Sequence, residues 1–339
     1  MNRASPAAAG SPPSVRKWRR RLSRAAVVLL VLVVAGELAA RFWLGLGDPP
    51  LLMADPQVEY LFRPNQDCRR FGHHVRYNAW SMRSDDFPAT RTSPAELRVM
   101  VVGDSIVNGG SPTDQADLAT TLMGPMLAAR LQRPVVVGNI SAGSWGPPNQ
   151  LAYVRKFGLF DADVVAIVLS SHDAADVPGF GPLPGETQKP ISALVEGFQR
   201  YSLGDLVHRL GGAAPSPEPT TPAPSPATLP VGDVARCLAD LRELIAIARA
   251  KGAKVVVFQH LELQEVQGVP GEGHALIQSA AEAAGATVRQ LGPAFANQLK
   301  AGLSPYRDPI HPNEIGQKLL AAELEKGVLD AISPGVATP

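Results

Sequence analysis

The apolar positions fall into short, mostly β-branched runs separated by longer amphipathic stretches. Residues 99–102, 135–139, 164–169, 254–259 and 287–291 have the length and side-chain type of strands. Apolar residues on consecutive positions suit strands covered on both faces, as in a parallel sheet. Between these runs, residues 114–131, 148–157, 231–251, 272–284 and 314–326 carry helical periodicity. Strands alternating with helices predict a doubly wound α/β domain over 97–330, with right-handed crossovers placing helices on both faces.

Before this domain the pattern changes. Residues 1–14 are rich in Ala, Pro and Ser, a composition that predicts disorder. A basic cluster of Arg16, Lys17, Arg19, Arg20, Arg21 and Arg24 follows, and residues 1–24 read as a disordered basic segment. Residues 25–36 are wholly apolar, and the apolar character runs on to 46, broken by Glu37 and Arg41. The stretch 25–46 has about the 20 residues a bilayer requires. Positive charge ahead of it predicts a single-pass signal anchor with the N-terminus in the cytoplasm and the rest of the chain extracytoplasmic, as in a periplasm. A cleaved signal peptide is the alternative, given the small residues Ala35, Ala39 and Ala40. A buried helix with a basic flank is the third reading. Glu37 and Arg41 are costly in a membrane, but their i,i+4 spacing lets them pair.

Residues 47–96 contain turn signals and no long periodic segment, and read as a stalk and flap packing on the main domain. A short strand is expected at 75–82. Arg69, Arg70, His73, His74 and Arg76 form a basic patch, read as solvated surface. Between the third and fourth strands, 176–230 is an insertion. Its first part is rich in Gly and Pro, 191–210 has helical character, and 211–230 is a Pro-rich, low-complexity tip. It reads as a lid or as a plain surface excursion.

Composition narrows the classes of function. Acidic and basic residues nearly cancel, to a formal net charge of +1, so no global charge points to nucleic acid. The two cysteines, Cys68 and Cys237, have no metal-ligand spacing, and Cys237 reads as a small core residue. His208, His260 and His274 show no ligand spacing either, and no phosphate-cradling glycine loop is present. No cofactor or metal is expected.

Two stretches carry candidate chemistry. Residues 99–110 read VMVVGDSIVNGG, a strand ending in Gly103-Asp104-Ser105. Open α/β sheets keep their ligands at this end of a strand. The position alone equally suits an ordinary turn serine. Far along the chain, residues 307–316 read RDPIHPNEIG. Asp308 and His311 lie three residues apart, stiffened by Pro309 and Pro312, with Asn313 placed to cap the next helix. A histidine there can accept a serine proton while the aspartate holds its tautomer.

Gly103-Asp104-Ser105 with Gly109, followed by Asp308-Pro309-Ile310-His311, resembles the SGNH (GDSL-type) hydrolase family. The resemblance implies a three-layer α/β/α sandwich with a five-stranded parallel sheet, flavodoxin-like in plan. It implies Ser105 as nucleophile, His311 as general base and Asp308 as its orienter. The oxyanion donors it implies are the backbone N–H of Ser105 and that of Gly143 or Ser144, with Gly143 favoured because a glycine permits close approach. The family's third donor is an asparagine side chain, and His172 stands in its place within Ser170-Ser171-His172-Asp173. Imidazole can donate a hydrogen bond, so His172 is expected to take that role, while Asp104 and Asp173 are expected to hold turns. The implied activity is a membrane-anchored serine esterase acting on a small-molecule or glycan ester, foremost an O-acyl (O-acetyl) ester of a glycan. The alternatives are an O-acyltransferase with the same triad, a lipid-directed esterase, and a non-catalytic glycan-binding module.

Overall fold

The structure, a computed structural model, describes residues 13–201 and 229–333. The chain enters it through a 30-residue helix, α1 (Pro13–Phe42). This helix takes in Arg16–Arg24, where an unstructured segment was expected; the arginines are good helix formers and no proline or glycine interrupts 14–35. From Arg16 to Phe42 it is long and apolar enough to cross a membrane by length and composition. The sides of Val27 to Val34 are exposed.

Residues 47–96, the expected stalk and flap, contain two antiparallel hairpins. β1 (Leu52–Asp55) pairs with β2 (Glu59–Phe62), and β3 (Gln66–Arg70) with β4 (His73–Tyr77). The strand expected at 75–82 stops at Tyr77, because Asn78 turns the chain: its Oδ1 accepts from the N–H groups of Trp80 and Met82 at 2.9 and 3.0 Å. The basic patch is only partly solvated. Arg76 reaches Asp85 and Asp86 at the surface, whereas Arg70 is buried and paired with Glu196 at 2.6 Å.

From Leu97 the alternation appears as expected. In chain order come β5 (Leu97–Gly103), α2 (Ser105–Asn108), α3 (Ala119–Leu131), β6 (Val135–Ser141), α4 (Pro147–Phe157) and β7 (Val164–Leu169). They are followed by α5 (Ala193–Arg200), α6 (Val231–Ala250), β8 (Lys254–Gln259), α7 (Leu263–Gln267), α8 (Glu272–Ala283), β9 (Thr287–Gln290), α9 (Gly292–Lys300) and α10 (Glu314–Ile332). The five strands β6-β5-β7-β8-β9 form one parallel sheet. The period of two divides its side chains between two cores. Met100, Val102, Ile167 and Val257 face α4, α6 and α8 on one side. Val99, Val101, Val168 and Phe258 face α3, α9 and α10 on the other. Together these are the three layers of an α/β/α sandwich.

Helix α3 starts at Ala119 rather than 114, since Asp114 caps a separate 3₁₀ turn, Gln115–Asp117. The helix expected at 191–210 is described only as α5. The low-complexity tip at 211–230 lies almost wholly outside the described residues. Cys237 is fully buried in α6, its Sγ 3.1 Å from the Asp176 carbonyl, and both cysteines are free.

Candidate active site

Five chain segments meet beyond the carboxyl ends of the strands. Ser105 is the first residue of α2, immediately after β5. Asp104 caps that short helix, its Oδ1 accepting from the Ile106 N–H at 2.9 Å. The helix closes at Gly109, whose left-handed φ of 74° lets its N–H reach the Ser105 carbonyl; a Cβ there would meet Leu118 at 2.6 Å. Behind the turn, the fully buried guanidinium of Arg83 donates to the carbonyls of Asn108, Gly110 and Thr113. An arginine cannot shed its charge, so these carbonyls are the groups that make its burial tolerable.

Asp308 and His311 lie on the loop that leads into α10. Asn313 accepts from the N–H groups of Ile315 and Gly316, fixing the helix start. The Asp308 Oδ1 accepts from the backbone N–H groups of Ile310 and His311 at 2.9 and 2.7 Å. The His311 ring spans the remaining gap, with Nδ1 2.8 Å from Asp308 Oδ2 and Nε2 2.9 Å from Ser105 Oγ. A carboxylate only accepts, so Nδ1 carries the hydrogen, and the bare Nε2 accepts from the serine hydroxyl. Burial opposes the charge of Asp308, but hydrogen bonds from the His311 ring and from backbone N–H groups hold its carboxyl well below the ordinary carboxylate range.

Two further contacts brace this loop. His260 is buried, which pushes its pKa down to about 4, so the neutral ring donates from Nε2 to the Ile310 carbonyl at 3.0 Å. Arg307 reaches across to the serine loop, with Nη1 2.9 Å from the Gly109 carbonyl and 3.0 Å from Thr113 Oγ1, while its Nε lies 3.5 Å from Asp308. One guanidinium therefore links the histidine-bearing and serine-bearing loops.

After β6, Gly143 and Ser144 form a turn in which Ser144 has a φ of 52°. The Gly143 carbonyl accepts from the hydroxyl of Tyr60, a residue of the flap strand β2. In a trans peptide the following N–H points the opposite way, so that of Ser144 faces away from Tyr60. Among the described residues, no acceptor takes the backbone N–H of Ser105, Gly143 or Ser144.

His172, the expected third oxyanion donor, lies between two carboxylates. It sits in a 3₁₀ turn after β7, with Nδ1 3.1 Å from Glu262 Oε1 and Nε2 3.4 Å from Asp104 Oδ2. Both ring nitrogens face carboxylates, Nδ1 within hydrogen-bond reach of Glu262 and Nε2 in a longer contact with Asp104. Burial works against an imidazolium here, but Asp173, Asp104 and Glu262 outweigh it and keep the ring protonated well above the ordinary histidine range. Asp104, fully buried, is held below the carboxylate range by the same contact. Asp173 takes the turn-holding role expected of it, accepting from the Ser170 N–H at 2.6 Å.

Besides Arg83, three residues of this assembly were not singled out from the sequence. Arg307 stands beside Asp308, and a cation flanking a candidate orienter was a visible signal. Glu262 lies three residues past the end of β8, at the edge where ligands bind. Tyr60 offered no signal, being joined to Gly143 across 83 positions.

The model of the GDSL-like lipase/acylhydrolase family matches residues 101–319, some two thirds of the chain. Among curated protein sequences, none matches. Several solved structures are similar to this chain at low identity. An acetyl xylan esterase from Geobacillus stearothermophilus is 13% identical, with a TM-score of 0.42 over 72% of this chain and 97% of its own. A psychrotrophic esterase from Pseudoalteromonas sp. is 13% identical, with a TM-score of 0.42 over 70% and 99%. The lipase/acylhydrolase from Enterococcus faecalis is 16% identical, with a TM-score of 0.41 over 71% and 100%.

Proposed function

The chain belongs to the GDSL-like lipase/acylhydrolase family and is an ester hydrolase, and from that premise we propose that Ser105, His311 and Asp308 perform the hydrolysis. The observation that carries the assignment is the unbroken hydrogen-bonded line from Ser105 Oγ through the His311 ring to Asp308, at 2.9 and 2.8 Å. Ser105 Oγ attacks the acyl carbon as His311 Nε2 takes its proton, and Asp308 stabilises the imidazolium that forms. The developing oxyanion is met by the backbone N–H groups of Ser105 and of Ser144, with Gly143 beside it. His311 returns the proton to the departing alcohol. Water then attacks the acyl-enzyme, giving its proton to His311, and the acid leaves as Ser105 is restored.

The substrate in this reading is an O-acyl ester, foremost O-acetyl, on a glycan outside the cytoplasm. The partly exposed side chains about the serine loop include the ionisable groups of His172, Glu262 and Arg307. Such surroundings favour a hydroxylated leaving group over a long acyl chain. We also propose that α1 is a retained membrane anchor, with its N-terminus cytoplasmic and the catalytic domain extracytoplasmic. Supporting retention, the end of α1 is part of the folded domain: Ala40 is buried, and Glu37 accepts from the backbone N–H groups of Ala193 and Leu194. Cleavage after Ala40 would remove those contacts, whereas cleavage after Ala35 would leave Glu37 and Ala40 in place.

The test is acetate release by the full chain from a panel of acetylated glycans, beside Ser105→Ala. Release that depends on Ser105 supports the reading. Acetate passing to an added unacetylated glycan instead of water would make the protein an acyltransferase, and activity confined to lipid esters would overturn the glycan assignment.

A further inference from the structure

Helix α5 has two faces of opposite character. Ala193, Glu196 and Gly197 are buried, while Val195 and Phe198, together with Ile191 just before the helix, point outward. They are 51%, 80% and 99% exposed. Beside them, the end of α1 exposes Phe42 and Trp43 at 80% and 76%. We propose that this five-residue face is inserted in the outer boundary of the bilayer that α1 crosses. The inference rests on the anchor reading of α1 and adds a second, fixed point of membrane contact.

The partner follows from continuity with the span. The wholly apolar stretch 25–36 covers only about 18 Å at 1.5 Å per residue, short of the ~30 Å hydrocarbon core. Continued from Ala25 to Phe42, the helix covers about 27 Å, which places Glu37 and Arg41 inside the membrane boundary. There α5 supplies what lipid cannot. The Glu37 carboxylate accepts from Ser192 Oγ and from the N–H groups of Ala193 and Leu194, so it caps α5. Arg41 pairs with Glu37 at 2.7 Å and donates to the Ile191 carbonyl at 2.9 Å. Leu194 packs at Gly36, where a Cβ would lie 3.5 Å from its Cδ1. The charged pair is thereby satisfied by a helix whose opposite face is apolar. An amphipathic helix lying in the interface, flanked by aromatic residues, is the arrangement such a boundary favours.

The face is also rigidly tied to the catalytic domain. Glu196 and Arg70 form a buried pair at 2.6 Å, and Arg70 donates to the Gly45 carbonyl at 3.0 Å. Ala40, Leu46 and Ala193 pack as a small core at this junction. Insertion of α5 would therefore fix the tilt of the domain and the height of Ser105 above the membrane.

The test uses the full chain reconstituted into phosphatidylcholine–phosphatidylglycerol vesicles. A fluorophore is attached at Phe198→Cys, at Val195→Cys, and at Val269→Cys, an exposed apolar position on another element. The native thiols are buried, and the labelled parent sets their background. Vesicle flotation is measured on the same samples. The expected result is co-flotation, with nitroxide-bearing lipid quenching the label at 198 and 195 and aqueous iodide quenching only that at 269. Co-flotation with iodide reaching 198 and 195 as readily as 269 would overturn the insertion of α5 while leaving the anchor standing. Failure to float would remove the anchor, and the inference with it.

Discussion

Replacing His172 by alanine separates its two possible employments. Its ring lies between Asp104 and Glu262, whose carboxylates favour the protonated form, and Asp104 is only 2% exposed. Breaking a buried ion pair by removing one partner costs about 3–5 kcal/mol. A third of the His172 side chain is open to solvent, and screening there reduces the expected cost to about 2–3 kcal/mol. In a domain of this size that lowers the thermal midpoint by about 5–10 °C. The pH dependence carries the sign. Asp104 has a depressed folded pKa, so its contribution is present above the unfolded value of about 3.9 and is lost as pH falls through the folded value. His172 has a raised one, so its contribution is full below about 6.5 and is lost as pH rises through the folded value. The gap between parent and His172→Ala should thus be widest between about pH 4 and 6.5, and close above it by up to about 1.4 kcal/mol per unit. Thermal midpoints of both proteins from pH 4 to 9 measure this. A gap that stays constant or widens toward pH 9 would refute a charged ring. On the catalytic side, kcat per folded molecule should stay within about tenfold of the parent. A loss of about 10²–10³ with an unchanged midpoint would make His172 the oxyanion donor after all.

Three other outcomes follow from the geometry. Asp308→Asn frees Nδ1 from its acceptor and should lower kcat by about 10⁴ through the wrong tautomer, with little change in substrate affinity, as steady-state kinetics would show. Tyr60→Phe deletes the hydroxyl that fixes the Gly143 carbonyl; kcat should fall more than KM rises, by about tenfold or more, since the Ser144 N–H is no longer held in place. A reporter fused to the C-terminus of the full chain should be active only outside the cytoplasm, and cytoplasmic activity would contradict the proposed orientation.

How much of this was legible in the sequence depended on whether the decisive contacts were local. The five sheet strands announced themselves because each is buried on both faces, and a run such as that of β7, in which all six residues are buried, admits little else. Ser105, Asp308 and His311 were visible because turn chemistry and a three-residue spacing mark them. Of the hairpin strands only β4 was anticipated, in part, at 75–82; β1–β3 were missed because four- and five-residue strands are too short for alternation to register. Arg70 read as solvated because its partner Glu196 lies 126 positions away. The surroundings of His172 were hidden for the same reason: its position after β7 was legible, but Glu262 approaches Nδ1 from 90 positions further on. Glu37, costly when seen on the isolated helix, is capping a helix that sequence distance hid.

The central claim, that Ser105 is a nucleophile activated by His311, is tested most directly by a fluorophosphonate probe on the folded full chain, with the adduct located by peptide mass spectrometry. The account predicts a single phosphonylated serine at Ser105, labelling abolished in Ser105→Ala, and labelling strongly slowed in His311→Ala. A stoichiometric adduct on a different serine, or labelling at Ser105 that proceeds equally fast without His311, would contradict it.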